Sequence, residues 1–363
     1  MERVSETEVR HTAFGVYLHI PFCAKRCDYC AFATWTDRHH LTDPYLDSCH
    51  TEVERAVADG MPAATSVFVG GGTPSLVPPA DLARVLRAIP LAPGAEVTVE
   101  CNPDTVTEPL VDTYVANGVT RLSFGVQSMV PHVLRALGRT HDPANVQKAV
   151  ALARRAGIST FNLDLIYGGA GESLADWRRT LDDALELDPP HISAYALTVE
   201  AGTPLADDAA RHPDDDDQAD KYLMATELLD ARGLTWYEIS NWAKPGHECR
   251  HNLLYWQQGD YLGFGCAAHS HRAGRRWWNV RTPERYVALA SARESTEAAG
   301  EDLDDDTRRI EALQLSLRTR DGVPIGALPV EELDGLIDVR DDDRVVLTID
   351  GRLLANEVAL RLR

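Results

Sequence analysis

Three of the seven cysteines fall within eight residues, as Cys23-Ala-Lys-Arg-Cys27-Asp-Tyr-Cys30, while Cys49, Cys101, Cys249 and Cys266 are scattered. Structural zinc usually takes four ligands, commonly from paired C-x2-C knuckles, and this chain has no second pair. Three thiolates on one short loop instead suit three irons of a [4Fe–4S] cluster, whose usual complement is four. The remaining iron is then open to a substrate or cofactor. An odd number of cysteines without a secretory leader argues against a disulfide framework. A second group, His251-Asn-Leu-Leu-Tyr255-Trp256, sets an imidazole, a common metal ligand, beside flat apolar rings. The same residues fit a core histidine, with Trp256 filling an interface between domains. His269, His271, Cys249 and Cys266 are further candidates there, and His39, His40 and His247 receive no role.

These residues need elements to place them. Apolar or alternating runs at Gly15–Phe22, Ser66–Val69, Glu96–Glu100, Arg121–Val126, Thr160–Ile166 and His191–Thr198 read as strands. Helical spacing fills the gaps at Pro44–Ala58, Pro79–Ile89, Glu108–Asn117, Pro131–Leu137, Pro143–Ala156 and Ser173–Leu187, several with proline in the first turn and glycine just beyond the end. Six strand–helix repeats predict a parallel sheet, curled into an open barrel or doubly wound. The cysteines follow the first strand, Gly70-Gly-Gly-Thr-Pro-Ser75 the second, Glu100 and Asn102 the third, Gln127 the fourth, and Tyr167-Gly168 the fifth. Strand C-terminal ends form the active face of parallel α/β folds, so five features converge on one mouth.

Asp214–Asp217 is expected to be a solvated loop near a domain boundary, and Asp304–Asp306 and Asp341–Asp343 are read in the same way. Beyond it, Leu234–Ile239 and Tyr261–Ala267 read as strands, Thr282–Ala292 and Thr307–Leu317 as helices, and 344–362 as a hairpin or small winged end. The expected division is 12–212 and 213–363. A formal charge of −20 argues against a general phosphate-backbone binder, so no nucleic-acid partner is expected. No apolar run reaches the ~20 residues of a membrane span, and the N-terminal stretch lacks the pattern of a signal peptide. Cytoplasmic residence is the expectation.

The cysteine loop resembles that of the radical S-adenosylmethionine (radical SAM) superfamily. Tyr17-Leu-His-Ile-Pro-Phe-Cys23, Gly70–Ser75, Glu100, Gly125-Val-Gln127-Ser, Arg139 and Asn162-Leu-Asp164-Leu-Ile-Tyr-Gly168 resemble, in order and over nearly the whole chain, the oxygen-independent coproporphyrinogen oxidases and their relatives. The resemblance implies an α/β fold, a partial (β/α)6 radical SAM barrel with a smaller C-terminal α+β domain. It assigns Cys23, Cys27 and Cys30 to the cluster. For SAM it implies Gly71, Gly72 and Thr73 at the methionine end, Glu100, Gln127, Arg139 and Asp164 at the carboxylate, the ribose and their surroundings, and Tyr17 and Tyr29 flanking the cofactor.

One position departs from the oxidases, which carry a further cysteine two residues after the third. Here that residue is Phe32, which can neither relay a proton nor ligate. The Cys-x-Phe version resembles the HemW branch, whose members are understood as heme chaperones. That branch shares the H-N-x-x-Y-W motif, and Gly263-Phe-Gly-Cys-Ala-Ala-His269 resembles another of its elements. The resemblance implies heme as cargo, with His251 as its candidate ligand, a heme-requiring acceptor protein, an electron donor, and peripheral contact with a membrane-bound acceptor. A homodimer is left open. The rival reading is oxidative decarboxylation of coproporphyrinogen by a 5′-deoxyadenosyl radical, and Phe32 speaks against it. A radical SAM methyltransferase or tetrapyrrole-opening enzyme is a further alternative, and a tRNA-modifying enzyme is disfavoured by the charge.

Overall fold

The six apolar runs become β1 (Phe14–Ile20), β2 (Ala64–Gly71), β3 (Leu91–Cys101), β4 (Arg121–Gln127), β5 (Thr160–Tyr167) and β6 (His191–Ala196) in a computed structural model, which describes residues 13–362. Consecutive strands pair in parallel from β1 to β6. The crossovers are α1 (Thr42–Ala58), α2 (Pro79–Ala88), α3 (Glu108–Ala116), α4 (Pro131–Ala136), α5 (Ala144–Arg155) and α6 (Leu174–Leu185). Residues 1–12, including the stretch read for a leader and the start of the expected first domain, lie outside the described residues.

Register explains why this sheet has a usable interior. Side chains alternate faces along a strand and match across paired positions. One face gathers Val16, Leu18 and Ile20 with Val67, Val69, Val97, Val99, Leu122, Phe124, Leu163 and Leu165, all buried in the main core. The opposite, inner face carries Tyr17, His19, Glu100, Ser123, Asn162, Asp164 and Ser193. An apolar skin therefore holds the helices while polar groups line the inside.

The later chain extends the same sheet at both edges. After α7 (Asp215–Asp230), the strands β7 (Thr235–Glu238) and β8 (Asn241–Ala243) form an antiparallel pair beside β6. Then α8 (Arg250–Trp256) leads to β9 (Asp260–Phe264), which joins β1 in parallel, and β10 (His269–Arg272), β11 (Arg275–Asn279) and β12 (Glu297–Asp302) continue antiparallel beyond it. The sheet thus runs across the expected 212/213 division. After α9 (Pro283–Ser291) and α10 (Asp305–Leu317), a separate small core around Leu317, Val345 and Val358 is built on β13 (Val323–Pro324), β14 (Ile337–Val339), β15 (Arg344–Leu347), α11 (Ile349–Leu353) and α12 (Ala355–Ala359). Among the described residues, no helix is long and apolar enough to cross a membrane.

The acidic runs correct the expectation of loops at two of three places. Asp214 caps α7 by accepting the N–H of Asp217, and Asp304 caps α10 through Thr307. Acids in a first turn answer the unpaired N–H groups and the positive end of the helix dipole, so the charge run marks helix starts. Asp217 also pairs with the buried Lys221, which contacts Glu172 at 3.2 Å. Asp341–Asp343 do lie in a turn.

Candidate cluster and cofactor site

The cysteine loop is pinned at its neck. Beyond β1, Phe22 bridges Trp35, the Cys23 N–H donates to Trp35 O at 3.0 Å, and the Trp35 N–H donates to Pro21 O at 2.7 Å. Cys23, Cys27 and Cys30 project from the loop between, unpaired and partly exposed. Burial pushes the Cys23 and Cys30 thiols up, and neighbouring thiols add to it, against hydroxyls of Thr73 and Thr34. Bound iron would reverse that balance, since the thiolate is the ligand. Donors already aim at sulfur: Thr73 Oγ1 reaches Cys23 Sγ at 3.7 Å and Arg139 Nη1 reaches Cys27 Sγ at 3.6 Å. Among the described residues no three His, Cys, Asp or Glu side chains converge on one metal ion. A [4Fe–4S] cluster gives each thiolate its own iron, so this donor set fits the cluster.

The glycine turn after β2 supports the loop in a way that spacing did not reveal. Gly72 N–H donates to Ile20 O at 2.7 Å and Thr73 N–H to Phe22 O at 2.8 Å. A Cβ on Gly72 would lie 2.7 Å from Phe22 O and 2.8 Å from Ile20 O. Gly71, at φ +110°, would drive a Cβ into the His19 ring. In the structure these glycines let the turn lie directly on the chain entering the cysteine loop.

The other residues at the strand ends lie close to one another. Gly71 N–H donates to Glu100 Oε2 at 3.2 Å, so Glu100 also caps the glycine turn. Its carboxyl is pushed up to about 8 by burial and by Asp164. Burial also raises Asp164, but Ser123 Oγ at 2.7 Å and Asn162 Nδ2 at 2.8 Å donate to its oxygens and oppose the rise. Gln127 sits at φ +62° beside a register shift between β4 and β5. It stands with Arg139 over Gly125, whose carbonyl accepts from Arg139 Nη2 at 2.8 Å. Tyr29 packs against the apolar cluster of Val130, Val133, Leu137 and Leu197. Tyr17 Oη lies 3.0 Å from His19 Nδ1, while His19 Nε2 lies 2.9 Å from Ala33 O.

That last contact identifies a residue missed from sequence. His19 ties the inner face of β1 to the far end of the cysteine loop, and its histidine in Tyr17-Leu-His19 was the available signal. His141 was also missed. It is buried with both ring nitrogens unpartnered, and burial and the Arg139 charge lower its pKa to about 4. Phe32 stands 65% exposed on the loop.

His251 requires a correction. It is fully buried on α8, with Nδ1 3.0 Å from Ser66 Oγ and Nε2 2.8 Å from Tyr255 Oη. Its ring stacks on Phe68 at 5.5 Å, and burial lowers its pKa to about 3. Both nitrogens are engaged and neither faces solvent, so it is a core histidine here and not an open iron ligand. Cys249 and Cys266 are buried too, with thiols pushed up to about 12 by burial.

Comparison with known proteins agrees with this geometry. Residues 17–184 match the radical SAM superfamily. A protein named heme chaperone HemW from Mycobacterium tuberculosis is 42% identical, covering 96% of this chain and 94% of its own. A protein of that name from Bacillus subtilis is 32% identical, over 95% and 97%. The solved structure of the Escherichia coli coproporphyrinogen III oxidase HemN superposes with a TM-score of 0.83 at 23% identity, covering 96% of this chain and 89% of that one. At that identity the likeness is one of fold.

Proposed function

This chain belongs to the radical SAM superfamily and, within it, to the HemW heme chaperones, and from that premise we propose that it binds heme and delivers it to heme-requiring acceptor proteins. Cys23, Cys27 and Cys30 hold the [4Fe–4S] cluster. When bound, the cluster supplies an electron-transfer centre with one iron open to SAM. Arg139, beside Cys27 and Gly125, suits a carboxylate bidentately, and Glu100 and Asp164 suit hydroxyl groups. His19 holds the far end of the loop at Ala33, and Gly71 and Gly72 let the turn after β2 lie against the chain that enters it.

The observation that carries the chaperone reading is Phe32. The cysteine loop is complete, yet the position where the oxidases carry a further cysteine presents an exposed hydrocarbon ring, with no proton to give. We expect the anaerobically reconstituted protein to bind ferric heme and, with SAM and a reductant present, to form no protoporphyrinogen from coproporphyrinogen. Sustained decarboxylation over many turnovers would establish the oxidase reading instead.

A further inference from the structure

We propose that the heme seat lies on the sheet extension beyond β1, with the His269 imidazole as the iron ligand and Trp278 as its aromatic wall; this inference rests on the heme-binding function proposed above. Hydrogen bonding narrows the choice of ligand. His19, His191 and His251 have both ring nitrogens engaged inside the protein. His39, His212 and His247 are bonded to Cys23 O, Leu205 O and Thr160 Oγ1, and His50 and His132 lie beside Glu54 and Asp176. His141 is sealed in the core. Among the described residues, His269 is the exposed histidine stacked on an aromatic ring, at 5.6 Å and 27° from Trp278. Neither of its ring nitrogens is spoken for. Partial burial and the Arg276 charge lower its pKa, which favours the neutral, ligating form.

Register places this pair on the inner face. Gly15 and Tyr17 pair with Tyr261 and Gly263, Tyr261 pairs with His271, and His269 pairs with Trp278. A Cβ on Gly263 would run into the His269 carbonyl, so glycine lets β10 lie close against β9 and keeps the His269–Trp278 pair next to the strand that pairs with β1. On the same face, two residues along β10, His271 is buried. Its Nδ1 is 3.0 Å from Gly259 O and its Nε2 has no partner. Opposite it, Arg276 is the nearby cation for a heme carboxylate, already shared between Glu301 and Glu311.

The arrangement also gives the H-N-x-x-Y-W segment a place. His251 meets Tyr255 edge-on at 4.7 Å, Tyr255 meets Tyr261 at 4.6 Å, and Tyr261 lies 6.5 Å from His271. This row of rings runs from Ser66 and Phe68 on β2, where His251 is held, to the strand that carries His269. His251 and Tyr255 are positioning residues behind the seat.

The test titrates ferric heme into full-length, cluster-reconstituted wild type and into His269→Ala, Trp278→Ala and His40→Ala. Soret difference spectra, electron paramagnetic resonance, and iron and sulfide content are the readouts. We expect His269→Ala to lose the histidine-ligated signal and to weaken affinity by at least the ~10–100-fold typical of removing a residue that merely supports a metal ligand, with cluster content unchanged. Trp278→Ala should shift the spectrum and weaken binding less, and His40→Ala should match wild type. Wild-type binding with an unaltered spectrum and affinity in His269→Ala overturns the seat and leaves the chaperone reading standing. Absence of heme binding by wild type overturns both.

Discussion

Single residues divide into those that can be removed cleanly and those that hold the molecule together. Cys27 is of the first kind: it sits on a partly exposed loop pinned elsewhere, at Phe22 and Trp35. Cys27→Ala should give a folded protein with depleted iron and no spectral response to SAM, measured by iron and sulfide analysis and absorbance. His251 is of the second kind. His251→Ala strands the Ser66 and Tyr255 hydroxyls and leaves a void beside Phe68. Lost buried hydrogen bonds and cavities each carry penalties of this order, so destabilisation of about 2–4 kcal/mol is expected, read from denaturant midpoints. Cluster content in the folded fraction should be retained.

Elements show which contacts the sequence could announce. The alternation in Tyr17-Leu-His-Ile and Asn162-Leu-Asp-Leu made β1 and β5 legible, and the residues after each strand marked the mouth. Helix α8 was not legible as an element, because seven residues mixing His, Asn, Tyr and Trp show no clear period and their helix is held by packing against β1 and β2. Strand β11 was hidden likewise, since Arg275-Arg-Trp-Trp-Asn becomes a strand only through its partners. The role of Gly72 depends on two carbonyls about fifty residues earlier, a proximity no local spacing encodes. Gly72→Ala should push the turn off Ile20 and Phe22, a strain of about 1–3 kcal/mol by analogy with overpacked cores. Reduced iron incorporation in protein of near-normal secondary structure, by circular dichroism with iron analysis, is the expected result.

At the scale of the whole molecule, the main sheet and the small C-terminal core meet around β7. Glu238 bridges Thr319, Arg320 N–H donates to Tyr237 O at 3.0 Å, and Arg352 lies 4.0 Å over the Trp236 ring. Burial raises the Glu238 carboxyl to about 8, opposed by the Ser240 N–H. A carboxyl with a raised folded-state pKa favours the protonated form on folding. Its contribution is therefore complete below the unfolded value near 4.5 and is lost as pH climbs through about 8. Urea midpoints should fall between pH 5 and 9, and Glu238→Gln, which stays neutral, should flatten that decline. An equally steep decline in the variant would remove Glu238 as its source.

The parallel pairing of β9 with β1 joins the beginning of the chain to a segment made much later. During synthesis at ~5–20 residues per second, β9 leaves the ribosome roughly 10–50 s after β1. Until then one flank of β1 is an unpaired strand edge, a template for misassociation, and the three cysteines immediately downstream are already outside the exit tunnel. A nascent chain therefore presents its iron ligands before the sheet that steadies them is closed. The neck of the cysteine loop and the glycine turn beneath it, built from residues 19–73, can thus assemble well before β1 gains its second partner strand.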